Sequence, residues 1–276
     1  MKFRLLSSDK AGIMDKQAGI GSSQGVPLMF LVLQKRVFLL TGLFFCFVAG
    51  LAAVLWFGGR SGVPAFSVYA ETPVTVVVDA GHGGVDGGAV SPSGVKESGL
   101  NLAVALRLQD LLRFAGQKTV MIRTEDVSVA TDDSSIRAQK ASDIRNRVEL
   151  VNGTENTVLL SIHQNSLPSS PTTQGAQAFW NRQDGAEGLA NLIQDSLNGS
   201  VNAGNEKQAR PIPATIYLMK HIDAPGVIVE CGFLSNPAEE EKLRDGGYQT
   251  QLALCVTSAW LRSGELGAGN GTEAVI

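Results

Sequence analysis

The sequence predicts an α/β protein: a single domain with a mostly parallel, mixed central β-sheet flanked by helices on both faces, preceded by one N-terminal transmembrane or signal segment. Three observations predict it. β-Branched runs such as VTVVVD (Val74–Asp79) have the unbroken apolar character of strands buried on both faces. Such runs alternate with helical patterns along the last three-quarters of the chain, the signature of parallel strands joined by crossover helices. Finally, 23 consecutive residues without charge, 37–59, are set apart from everything that follows.

Taken in order, residues 1–36 form a basic leader carrying Lys2, Arg4, Lys10, Lys16, Lys35 and Arg36. By the positive-inside rule this leader is cytoplasmic and the chain beyond Arg60 is exported. Residues 37–59 are apolar all round, with Trp56 near one end. A helix of that length spans roughly 35 Å, enough for a bilayer core of about 30 Å. The segment reads as a retained anchor, favoured by its length, or as a signal segment cleaved after Val68-Tyr69-Ala70. Met29 offers a second, shorter basic start. Residues 60–73, rich in Gly, Pro and Ser, read as a linker.

The domain occupies residues 74–263. After the first strand, residues 99–115 are helical, with Leu100, Val104, Leu108, Leu111 and Leu112 on one face and Gly116 as the stop. Thr119–Arg123 is a second strand. Residues 135–151 form a charged amphipathic helix with Ile144, Val148 and Val151 inward; the charges of Arg147 and Glu149 read as a solvated face. Thr157–His163 and Ala176–Trp180 are further strands, followed by a helix at about 185–198. Thr215–Met219 and Gly226–Glu230 read as short strands, and residues 247–262 as a closing helix. Residues 125–135 and 200–212 are polar loops. Residues 264–276 form a Gly-rich, flexible tail.

The average composition, 44% hydrophobic with a net charge of −3, excludes a disordered chain and a dedicated nucleic-acid binder. That average hides a split. Residues 1–70 hold seven Lys/Arg and two Asp, whereas residues 71–276 hold sixteen Lys/Arg and twenty-four Asp/Glu. The three cysteines make no disulfide framework. Cys46 lies in the apolar run, and Cys231 and Cys255 fall on apolar patterns that read as buried packing.

The chain has three histidines. His82 follows the first strand and His163 closes the third, so a parallel sheet delivers both to the edge where ligands bind. Glu97, at the mouth of the first helix, is folded back toward His82 by the loop GHGGVDGGAVSPSG. Glu230 ends the strand PGVIVE at the same edge. Two His and one carboxylate with an open fourth position are a catalytic zinc set, and a further carboxylate can take the proton of an attacking water. The separations of 15, 66 and 67 residues match no local metal motif, so the residues by themselves leave structural histidines as the alternative. Asn165 either meets substrate or ends its strand. Asp86 organises the glycine-rich loop, and His221, following Lys220, sits in a loop and reads as non-functional.

Four blocks then become specific: VVVDAGHGGVDGGAV, KESGLNLAVALRLQDLL, LLSIHQNS and PGVIVECGFLSNPAEEEKL. In this order they resemble the signature blocks of the zinc-dependent N-acetylmuramoyl-L-alanine amidases of the amidase-3 family, over about residues 74–262. The resemblance implies a mixed sheet flanked by helices, one Zn²⁺ held by His82, Glu97 and His163, and Glu230 as catalytic acid/base. It implies hydrolysis of the amide between N-acetylmuramic acid and L-alanine in peptidoglycan. Ala80 stands where many members have Pro. Cys231 follows the catalytic position, but strand alternation turns it to the opposite face.

The segments KASDIRNRVELVN, GAQAFWN and IYLM, with the N-terminal apolar segment, resemble the germination-type amidases of endospore formers. That implies removal of peptides from spore cortex, the first step toward muramic-δ-lactam. It also implies a cell-wall-facing location, membrane attachment through the N-terminal segment, and a candidate lipoprotein partner that activates the enzyme or loads its zinc. The alternatives are a zinc peptidase acting on stem peptides and a non-catalytic wall-binding regulator.

Overall fold

The computed structural model describes residues 40–44, 47 and 74–269, with side chains described as far as Gly264. The chain divides into two units, residues 1–65 and 66–276. Of the first, residues 40–44 and 47 are helical and exposed. The basic leader, the rest of the apolar run with Cys46 and Trp56, the linker and the Val68–Ala70 site lie outside the described residues. No helix among the described residues is long and apolar enough to cross a membrane.

The second unit is an α/β domain around a six-stranded sheet. Its elements are β1 (Thr75–Ala80), α1 (Glu97–Phe114), β2 (Lys118–Met121), α2 (Ile136–Asn152), β3 (Thr157–Asn165), β4 (Gln177–Trp180), α3 (Ala186–Asn198), β5 (Arg210–Pro211), α4 (Tyr217–His221), β6 (Gly226–Phe233), α5 (Pro237–Arg244) and α6 (Gly246–Gly269). The strand order is β2-β1-β3-β6-β4-β5. β2, β1, β3 and β6 run parallel. β4 turns antiparallel to β6, and β5 follows β4.

Strand alternation divides the core. Val76, Val78, Leu160, Ile162, Val227, Val229 and Cys231 pack on one face with residues of α1, α3 and α6. Val77, Leu159 and Ile228 pack on the other with Val151 of α2 and with Leu218, Met219 and Ile222 around α4. β1 is buried along its whole length, as expected of a β-branched strand covered by helices on both sides. α2 begins with a local signal: Ser135 Oγ accepts from the Ala138 amide to cap it.

Four elements depart from the sequence expectation. Of Thr215–Met219, expected as a strand, Tyr217–Met219 belong to α4, which Ile216 precedes and which closes with the Ile222 amide donating to the Leu218 carbonyl at 3.1 Å. A four- to five-residue apolar run carries no periodicity able to separate strand from helix, and here the spacing of Leu218 and Ile222 wins. α5 is an additional helix with clear local signals: Asn236 caps it, Pro237 opens it, Glu239 and Glu240 fill its first turn, and Lys242 and Arg244 its last. β5 is a two-residue edge strand inside the stretch expected as loop. α6 runs to Gly269, past the Gly264 at which a flexible tail was expected to begin.

Arg147 corrects a further expectation. It lies on the inward stripe of α2, between Ile144 and Val151, and is 2% exposed rather than solvated. Its guanidinium donates to the Asp79 carboxylate on β1 and, through Nε, to Asp143 at 2.6 Å. Ser161 Oγ donates to the other Asp79 oxygen at 2.7 Å. Burial alone would raise the Asp79 carboxyl, but the Arg147 charge beside it holds it below the usual carboxylate range. A carboxyl held low in the fold contributes stability above its unfolded value of about 4, and loses it as pH falls through the folded value. Asp79→Asn is therefore expected to cost about 3–5 kcal/mol at pH 7, because it leaves Arg147 under-compensated. The gap to wild type should narrow below about pH 4. Urea unfolding followed by circular dichroism at pH 7 and pH 3 checks this, and a gap independent of pH contradicts it.

Candidate metal centre

The ends of β1, β3 and β6 build the centre, as the topology requires of a parallel sheet. His163 pairs with Glu230 across β3 and β6, and Glu230 pairs with Gln177 across β6 and β4. These three side chains therefore share the face of the sheet that α2 and α4 cover. His82 follows β1 and Glu97 opens α1. The intervening loop doubles back, with the Glu97 amide donating to the Ala89 carbonyl at 2.9 Å.

Of the four residues expected at the centre, His82, Glu97 and His163 come together as a cluster. One ligand atom from each lies within 4.8 Å of the others, and the three form a group that could hold a metal ion. Glu97 Oε1 is 2.9 Å from His163 Nδ1 and 3.4 Å from His82 Nε2. The two imidazoles meet edge to face with centroids 5.0 Å apart. Two glycines make this approach possible: a Cβ at Gly81 would meet the His163 ring at 2.2 Å, and one at Gly88 (φ +67°) would meet Glu97 Oε2 at 2.5 Å.

Two of the three groups are held from behind. His82 Nδ1 donates to Asp86 Oδ2 at 2.8 Å, turning Nε2 toward the cluster, and Asp86 Oδ1 takes Lys140 Nζ at 2.8 Å. Glu97 Oε2 accepts from the Ala89 amide at 2.8 Å. Glu97 Oε1 accepts from Asn101 Nδ2 and the Gln164 amide, each at 3.1 Å. Asp86 thus organises the glycine-rich loop, as the sequence suggests, and also orients a histidine. Asn101, Gln164, Arg123 and Arg147 were missed as supports. Asn101 had a legible signal, lying one turn along α1 from Glu97.

The electrostatics separate the two carboxylates. Glu97 is 3% exposed, and although burial would raise it, His163 and His82 hold it far below the usual range. Burial works against the charged form of His82, but the hydrogen bonds and charges of Glu97 and then Asp86 outweigh it and raise the imidazole to about 9. Glu230 is pushed up to about 7, first by burial and then by the Glu97 charge, against the pull of His163 and His82. Glu230 Oε2 is enclosed and has no hydrogen-bond partner among the described residues. A half-buried carboxyl with one enclosed, unpartnered oxygen, poised near neutrality beside the cluster, is suited to proton transfer.

The remaining candidates fall elsewhere. Asn165 ends β3, accepting from the Ser166 amide through Oδ1 at 2.8 Å. His221 stacks on Tyr217 at 3.9 Å and is no part of the cluster. Cys231 and Cys255 are free and buried.

Sheet-edge imidazoles, a buried carboxylate beside them and a second carboxyl of raised pKa make an α/β site whose cluster could hold a metal ion. Residues 76–261 match the N-acetylmuramoyl-L-alanine amidase family, Amidase_3. The chain belongs to that family and is an amidase of it. It is 36% identical over 189 residues to the germination-specific N-acetylmuramoyl-L-alanine amidase of Bacillus subtilis, covering 68% of this chain and 78% of that one. It is 29% identical to a probable cell wall amidase, LytH, of Staphylococcus epidermidis, covering 66% of this chain but 57% of that one. Among solved structures, the CwlD amidase of Clostridioides difficile in complex with the GerS lipoprotein aligns at TM-score 0.67 and 30% identity, over 70% of this chain and 99% of that one.

Burial pushes the Cys231 thiol far above its ordinary range, so no thiolate is available beside Glu230. Cys231→Ala should keep hydrolytic turnover within about threefold of wild type, and iodoacetamide should leave Cys231 unmodified in the native protein; loss of turnover in the variant contradicts its packing role.

Proposed function

We propose that this protein is a zinc-dependent amidase that cleaves the bond between the lactyl group of N-acetylmuramic acid and L-alanine in peptidoglycan. The observation that carries the reading is the convergence of His82, Glu97 and His163 beside Glu230, whose Oε2 is enclosed and unpartnered among the described residues. Two nitrogens and one carboxylate oxygen are a donor set suited to zinc, and the backing of His82 by Asp86 and of Glu97 by Asn101 is what an oriented ligand set needs. His82, Glu97 and His163 would hold the ion. When bound, Zn²⁺ supplies Lewis acidity toward the scissile carbonyl and toward water.

The chain's own residues do the rest. Glu230, in its ionised form, accepts a proton from the attacking water. Its enclosure then favours the protonated form, which donates that proton to the departing amine of L-alanine. The same carboxyl thus serves as base and acid in turn. Asp86 holds the His82 ring against rotation, and Asn101 with the Gln164 amide holds the Glu97 carboxylate.

The substrate proposed is spore-cortex peptidoglycan, with peptide removal as the first step toward muramic-δ-lactam. Support comes from the germination-specific amidase of Bacillus subtilis among the relatives and from the likeness to CwlD. That structure's GerS lipoprotein supports a lipoprotein as the activating or zinc-loading partner of this chain. Activity on the wall requires an extracytoplasmic location, which the N-terminal segment would provide as an anchor or export signal.

Glu230→Gln is expected to keep zinc, measured as metal per chain, and to lose turnover by roughly 10²–10⁴-fold. Near-wild-type hydrolysis by that variant contradicts the role of Glu230. Prolonged dialysis against a chelator should abolish turnover, and one equivalent of Zn²⁺ should restore it; full activity in metal-depleted protein contradicts the metal assignment.

A further inference from the structure

The turn carrying His82 is built against the preferences of its backbone. His82 has φ +61°, a left-handed conformation that a residue with a Cβ adopts only when its surroundings impose it. β2 ends at Met121, and the last ladder bond on that side runs from the Ile122 amide to the Val78 carbonyl at 3.1 Å. The next acceptors along the chain receive no strand; they receive two guanidiniums.

The Ala80 carbonyl accepts from Arg123 Nε at 2.8 Å and from Arg147 Nη1 at 3.1 Å. The Gly81 carbonyl accepts from Arg123 Nη2 at 2.9 Å. The His82 carbonyl accepts from Arg147 Nη2 at 2.7 Å. Arg123 Nη2 also reaches the Ser98 carbonyl at 2.8 Å, tying the same turn to the start of α1, where Glu97 stands. Both arginines are buried, and Asp79 and Asp143 compensate Arg147.

Burying two cations is a poor way to stabilise a strand end, since an apolar side chain at position 147 would cover β1 equally well. What a planar guanidinium offers, and an apolar group or a single ammonium does not, is several donors at fixed angles. We propose that Arg147 is a positioning residue for the metal centre. Its fork fixes the left-handed peptide of His82, and with it the direction of the imidazole, so that the three ligands are preset before the ion arrives. The proposal rests on the zinc reading above.

The test compares apo-protein zinc affinity, by competition with a chromophoric chelator, in wild type, Arg147→Lys and Val151→Ala. Lysine keeps the cation beside Asp79 but cannot span Asp79 and the His82 carbonyl together. Val151→Ala removes buried packing from the same helix and serves as a control for destabilisation. Each protein is measured at a temperature where circular dichroism shows it folded. Arg147→Lys should bind zinc roughly 10–100-fold more weakly, and the visible absorption of its Co²⁺ form should shift. Val151→Ala should match wild type in both readouts, despite a lower Tm. Should Arg147→Lys fail to fold, the double variant Asp79→Asn/Arg147→Met, which removes both charges of the pair, is measured instead with the same expectation. Unchanged zinc affinity in the Arg147 variant overturns the proposal, as does an equal loss in Val151→Ala. A wild-type protein that takes up no zinc overturns the metal reading itself, a result distinct from either.

Discussion

The centre depends on one reversal of the chain, the turn from Ala80 to Gly84 at the end of a fully buried strand. There the backbone must stop pairing, take His82 through a left-handed conformation and return to deliver Glu97 beside it. Gly81 leaves room for the His163 ring, and Gly88 leaves room for the Glu97 carboxylate. Buried guanidiniums satisfy the carbonyls that the sheet no longer reaches. Without that reversal, His82 and Glu97 would sit on separate elements with no reason to meet.

The sheet supplies the other half by register. Parallel pairing sets His163 opposite Glu230, so an imidazole of the cluster and a second carboxyl emerge side by side from adjacent strands. Their surroundings then give two glutamates opposite properties. Glu97 is surrounded by hydrogen-bond donors and stays ionised, while Glu230 is enclosed without a partner and sits near neutrality. The same side chain thus acquires opposite protonation tendencies in two environments.

Much of this was legible in the sequence, because buried strands and the residues just past them leave strong local signals. The apolar runs of β1, β3 and β6 marked the sheet, and the histidines just past β1 and within the end of β3 marked two members of the cluster. What was not legible depended on tertiary contacts. α4 looked like a strand because its five residues are too few to show a period. Arg147 looked solvated because arginine on a charged helix usually is; only its place in the inward stripe, between Ile144 and Val151, told otherwise. Arg123 directly follows the residue that bonds Val78, and nothing local says that its side chain turns inward. Asp86 was read as a loop organiser, and its bond to His82 follows from a loop path that spacing does not reveal.

The central claim concerns which bond is cut. The most direct measurement is mass spectrometry of the products released when the zinc-loaded protein digests purified cortex peptidoglycan. The account predicts free stem peptides that begin at L-alanine with an unblocked amine, and glycan bearing unsubstituted lactyl groups. Fragments cut within the peptide, with L-alanine still joined to muramic acid, would contradict it.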